Sequence, residues 1–137
     1  MQNTLTDGAT TETSTYTFDA AGRLTQAVIP QHVLTYEFAS TGGCGVNTAA
    51  GRNGNRTGFT DTKNGTVVTD VDYCYDWADR LTSTNATTAG GNPVVNTDLS
   101  TVGAPATLAY DMHGNTTKLA DQTLAYDVAD RHMKTTL

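Results

Sequence analysis

Ten residues, YTFDAAGRLT, run from Tyr16 to Thr25 and return as YCYDWADRLT from Tyr73, LAYDMHGNTT from Leu108 and LAYDVADRHM from Leu124. A catalytic loop needs to be written once. A structural unit that cannot bury a face alone is written several times and stacked. Aligned on Asp19, Asp76, Asp111 and Asp127, the copies place Tyr16, Tyr73, Leu108 and Leu124 three positions upstream. Phe18, Tyr75, Tyr110 and Tyr126 stand immediately before each Asp. Residues two apart share one face of a strand. Each copy should therefore open as a strand whose aromatic residues supply the repeat core.

Three positions past each Asp comes Gly22, Asp79, Gly114 or Asp130. An Asp that opens a type I turn accepts backbone N–H bonds from the residues ahead of it. The residue closing such a turn commonly takes a left-handed backbone, as in a hairpin with a G1 bulge. Glycine adopts that conformation freely, and Asp tolerates it better than most residues. These eight positions are the expected structural turn residues, and Arg23, Arg80, Asn115 and Arg131 open the return strands.

Weaker copies fill the gaps. VLTYEFASTGG keeps Tyr36 and Phe38 as repeat core but puts Ala39 where the Asp should stand, and GRNGNRTGFT keeps only the turn-and-return half. A unit of roughly 16–20 residues accounts for the spacing of the copies, a period typical of repeat architectures. The 28 threonines support strands over helices, because β-branched side chains suit a pleated surface. The expected fold is all-β: tandem antiparallel hairpins forming a curled strip over residues 16–137. Residues 1–15 are a lead-in, either fraying or carrying a strand through Thr4-Leu5-Thr6. An irregular loop lies near 84–105, with a short strand at Val94-Val95.

The chain carries 8 Lys+Arg against 14 Asp+Glu, a net charge of −6. An acidic surface repels phosphate backbones, which argues against a nucleic-acid partner. No apolar run reaches the ~18 residues of a membrane span, and the first fifteen residues lack the pattern of a signal peptide. Cys44 and Cys74 are too few for a zinc site of their own. They either form a disulfide or stay as separate buried thiols. A bridge closing the 30 residues between them would contribute about 3–4 kcal/mol in the chain-entropy account.

Signals for chemistry are sparse. His32, His113 and His132 have no metal-ligand spacing, and no nucleophile-elbow, zinc-protease, P-loop or EF-hand motif appears. Asp70 and Asp72 share a strand face and read as solvated rather than as a calcium site. GRNGNRTG could cradle an anion, although its likeness to the repeat favours a structural loop. Asn-x-Thr sequons at Asn55, Asn64, Asn85 and Asn115 are expected by chance in so Thr-rich a chain. Trp77, at a turn position, is the best placed residue for a ligand contact. No catalytic residue, metal or cofactor is expected.

The pattern Tyr-x-[Tyr/Phe]-Asp-x-x-Gly-[Arg/Asn]-[Leu/Thr] resembles the YD repeat of the Rhs family, which includes bacterial polymorphic toxins, wall-associated proteins, Tc-toxin cocoons and teneurins. The resemblance covers about residue 16 to the end, with gaps at Ala39 and in the loop before Pro105. It implies a hairpin strip spiralling into a shell that encloses or presents a toxin cargo, secreted or at the bacterial cell surface, without catalysis. Self-cleavage at an Asp-Pro-containing motif, known in the family, is not carried over, because this sequence has no Asp-Pro dipeptide. The resemblance further implies that this chain is part of a longer one, or that copies associate through open sheet edges. The other reading is a carbohydrate- or cell-surface-binding module on the same β-scaffold.

Overall fold

A computed structural model describes residues 1–7, 10–87 and 108–137. Eleven strands are described: β1 (Gln2–Asp7), β2 (Thr10–Phe18), β3 (Leu24–Ile29), β4 (His32–Glu37), β5 (Gly58–Lys63), β6 (Thr66–Tyr75), β7 (Leu81–Thr87), β8 (Leu108–Tyr110), β9 (Thr116–Leu119), β10 (Gln122–Tyr126) and β11 (His132–Thr136). The lead-in is not frayed: β1 pairs along β2 and forms the first edge. Val94-Val95 lies outside the described residues, as does most of the expected irregular loop, and β7 occupies its beginning. Among the described residues no helix is long and apolar enough to cross a membrane.

Among the described residues every strand-to-strand pairing is antiparallel between chain neighbours, which makes the fold a run of hairpins. One correction concerns continuity. Among the described residues the expected single curled strip is two sheets, β1 to β7 and β8 to β11, with no hydrogen-bonded ladder between β7 and β8. Neither sheet closes on itself or curls strongly.

Two kinds of reversal alternate along the chain. Tight two-residue turns at Pro30-Gln31, Asn64-Gly65 and Ala120-Asp121 join β3 to β4, β5 to β6 and β9 to β10. Asn64 and Gly65 both have positive φ (49° and 81°), the signature of a type I′ hairpin turn. The Asp-led turns of the ten-residue unit occupy the other end of each sheet. An insertion from Phe38 to Thr57 takes the place of one such turn between β4 and β5, and contains a short 3-10 helix, Ala50–Asn53.

The core lies on one face of the larger sheet. Register places Tyr36, Phe59, Val71 and Ala86 in one cross-strand row, and Tyr16, Ala27, Leu34, Asp61 and Thr69 in the next. Ala27, Leu34, Phe59, Val71 and Tyr73 form the buried cluster, with Tyr16, Tyr36 and Tyr75 packed partly buried against it. Phe38, Tyr110 and Tyr126 are half-buried. Phe18 departs from its expected place in the repeat core: it is 47% exposed. Leu24 of β3 pairs with Phe18 on one side, whereas on the other side the β1 register reaches only Thr15. Asp70 and Asp72 face solvent, as a solvated face requires.

The turn rim and its aromatic groove

The four Asp-led turns are the same object. In the first, Asp19 Oδ1 accepts the N–H groups of Ala21 and Arg23 at 2.9 Å each, and Oδ2 accepts the Arg23 guanidinium at 2.7 Å. Asp76 repeats this with Ala78 and Arg80, and Asp127 with Ala129 and Arg131. Asp111 binds the N–H groups of His113 and Asn115, and the Asn115 amide replaces the guanidinium. Gly22, Asp79, Gly114 and Asp130 take the left-handed backbone, with φ of 79°, 59°, 92° and 58°. A register shift sits beside each turn, where Phe18, Tyr75, Tyr110 and Tyr126 pair across a bulge. The eight residues thus lie at the start and in the left-handed slot of four like turns.

The structure adds two links that local pattern does not reveal. Where the left-handed slot holds Asp rather than Gly, its carboxylate reaches back to the preceding rim element. Asp79 accepts the side-chain amides of Asn47, Asn53 and Asn55 from the insertion, at 2.8–3.1 Å. Asp130 accepts His113 Nδ1 and the Asn115 amide from the previous turn, both at 2.8 Å. The turn arginines reach forward instead. Arg23 stacks 4.3 Å over Phe38, and Arg80 lies 5.5 Å over Tyr110, each the aromatic that precedes the next turn. Phe18 precedes the first such turn and has no such arginine above it among the described residues. Tyr126 follows a turn with Asn115 in the arginine position, and it meets the His132 ring edge-on instead.

These bonds set the charge state of the rim. Backbone and guanidinium bonds from Arg23 hold the Asp19 carboxyl below its usual 3.8, and Arg80 and Arg131 do the same for Asp76 and Asp127. The Asn115 amide leads in lowering Asp111, and His113 in lowering Asp130. The same contact with Asp130 raises His113 above 6.5. Depressed carboxyls stabilise the fold above their unfolded value, and that stability is lost as pH falls through the folded values. His113 works in the other direction: its contribution is complete below 6.5 and fades as pH rises through the raised value. Tm should therefore decline as acid passes below the ordinary aspartate value. A Tm that ignores this window contradicts a stabilising role for the turn carboxylates.

A side-chain test accompanies the pH test. Asp19→Ala and Asp111→Ala should each lower Tm measurably, by less than the substitutions argued in the Discussion, since each removes a local side-chain-to-backbone cap. Unchanged melting in both variants would remove the turn from the account of stability.

The insertion is anchored to β6. Cys44 and Cys74 form a disulfide with Cα atoms 4.7 Å apart, and Gly45 makes an isolated bridge to Tyr75. Gly51 packs so tightly that a Cβ there would overlap the backbone of Phe38 and Ala39. Its carbonyl accepts the Arg23 guanidinium at 2.8 Å. GRNGNRTG is thus a packed structural segment, and from it Arg56 turns over the aromatic face.

Arg56 lies 4.6 Å over the Tyr73 ring, 5.6 Å over Phe59 and 5.7 Å over Tyr36, and it donates to the Tyr73 hydroxyl at 2.9 Å. Tyr75 donates its hydroxyl to the Arg56 carbonyl at 2.8 Å, and burial pushes its phenol above the usual 10. Arg56, Tyr36, Tyr73 and Tyr75 line an open, largely apolar groove of about 560 Å³ together with Leu24, Phe38 and Leu81.

Trp77 sits on a turn tip and is 76% exposed, as its position suggested. Met112 and Val128, in the same place on the next two tips, are fully exposed. The histidines do not converge. His32 meets the buried Asp61 at 2.7 Å, and His132 meets the Thr135 hydroxyl at 2.9 Å. Among the described residues no group of three or more His, Cys, Asp or Glu side chains is placed to hold a metal. No protein-family model matches the chain, and no curated protein matches it.

Proposed function

We propose that the chain is a non-catalytic structural segment of a YD-repeat strip of the Rhs kind, which helps to enclose or present a toxin cargo outside the cell. The observation that carries this reading is the fourfold turn, whose Asp accepts the same two backbone bonds in every copy, with two copies linked backward and two linked forward to their neighbours. Such links favour a unit made to be added to, and the edges at β1 and β11 offer unpaired ladder groups for more strands. Further hairpins of the same chain, or other copies of it, are the partners. A disulfide persists in oxidising compartments and supports a secreted or surface location.

Sedimentation velocity across a wide concentration range tests the edges: the chain is expected to self-associate as concentration rises. A compact monomer throughout would overturn the strip reading. Enclosure is read separately by protease protection. A cargo inside the full strip resists digestion until the strip unfolds, and equal digestion before and after unfolding rules enclosure out.

A surface-binding role is favoured by one observation, the exposed apolar residues at three turn tips, Trp77, Met112 and Val128. Trp77 is the only tryptophan, so its fluorescence reports directly on contact. Glycan or cell-surface binding that shifts this emission, and that Trp77→Ala abolishes, supports the role; binding untouched by Trp77→Ala removes it.

A further inference from the structure

The arginine in the groove differs from its counterparts on the rim. Arg23, Arg80 and Arg131 are each ion-paired with their own turn aspartate at 2.7 Å. Arg56 has no carboxylate within ion-pair distance among the described residues. It is half-buried, spread over three aromatic rings, and among the described residues its guanidinium makes only one bond, to a neutral hydroxyl. A guanidinium offers five N–H donors in a rigid fork that matches a carboxylate. Aromatic faces satisfy the positive charge in part but accept none of those donors with the strength of an anion.

The surroundings add shape to this charge. The groove is concave, apolar and within the size range of small-molecule sites, and Arg56 is the single charged group among its lining residues. Its walls come from four separate strands, β3, β4, β6 and β7, and from the insertion, held in register by the Cys44–Cys74 bridge and by the Tyr75 bond to the Arg56 carbonyl. The site is therefore built before any ligand arrives.

The geometry points to a binding site for a monocarboxylate with an apolar or aromatic body, its carboxylate on Arg56 and its body against Leu24, Phe38 and Leu81. Two sources carry that chemistry: a free organic acid, and the C-terminal carboxylate of a peptide ending in an apolar residue. No bond is made or broken; the site binds. It stands independently of the strip reading, since it requires only this groove.

The test compares 3-phenylpropionate with 3-phenylpropionamide, and a short peptide ending in Phe with its C-terminal amide. Titrations use calorimetry and the NMR signals of the tyrosine rings. The acid is expected to bind at least about tenfold tighter than the amide, as a charge-assisted bond to a guanidinium requires. Shifts should be confined to Tyr36, Tyr73 and Tyr75. Arg56→Gln should erase the preference, and Arg56→Lys should keep part of it. A tighter peptide acid identifies a chain terminus as the source; a tighter free acid identifies a small molecule. Equal affinity of acid and amide in the unmodified protein, or no saturable shift with either, overturns the proposal without depending on any variant. Retention of the full preference in a folded Arg56→Gln protein overturns it as well.

Discussion

Truncating Phe59 to alanine should lower the unfolding free energy by about 3–5 kcal/mol, the cost of emptying a well-packed aromatic site. Phe59 is 1% exposed at the centre of the larger sheet's core row, between Tyr36 and Val71. Its ring meets Tyr36 at 5.5 Å and carries the Arg56 guanidinium above it. Alanine leaves a cavity that neither strand can close, because the ladder fixes the spacing of β4, β5 and β6. Domains of this size have roughly 5–15 kcal/mol of stability, so the variant should sit near its folding threshold. Urea unfolding followed by circular dichroism reads the effect. A loss under about 1 kcal/mol would mean the core row is not what holds the sheet.

Removing the disulfide with Cys44→Ser and Cys74→Ser together should cost about 3–4 kcal/mol, chiefly by freeing the 30-residue loop in the unfolded chain. Reducing the unmodified protein should reproduce most of that loss in the same unfolding experiment. The insertion has other anchors, namely the three asparagine bonds to Asp79 and the Thr57 hydroxyl bond to the Ala39 N–H. Its fold should therefore survive in the double variant at moderate temperature. Identical unfolding curves with and without reductant would show that those anchors alone hold it.

The parts of this molecule that could be read from its sequence are those settled within a few residues. Asp19 and Gly22 lie in one five-residue turn, and the acceptor and the left-handed slot follow from local stereochemistry. Asn64-Gly65 carried an equally local hairpin signal, one that the repeat pattern overshadows. What escaped reading depends on residues far apart in the chain. Nothing near Asp79 announces the amides of Asn47, Asn53 and Asn55, and nothing near Arg23 announces Phe38. The pattern treats Gly and Asp at the slot as interchangeable for backbone reasons, whereas Asp79 and Asp130 each add a bond to a neighbour. Phe18 read as core because it matches its counterparts, yet its exposure depends on what stands before it. Arg56 in turn became visible only when Tyr36, Phe59 and Tyr73 came together beneath it. The recurring threonine of the RLT element has a plain role too: Thr25 and Thr82 donate across the hairpin to the Thr17 and Cys74 carbonyls.

The backward reach of Asp79 and Asp130 has a consequence for how the chain is made. Both carboxylates bind groups that lie earlier in the sequence. A hairpin emerging from the ribosome therefore meets a finished docking point already outside the tunnel, and need not wait for residues still to be translated. Growth that locks each rung as it appears would keep exposed edges short-lived during synthesis.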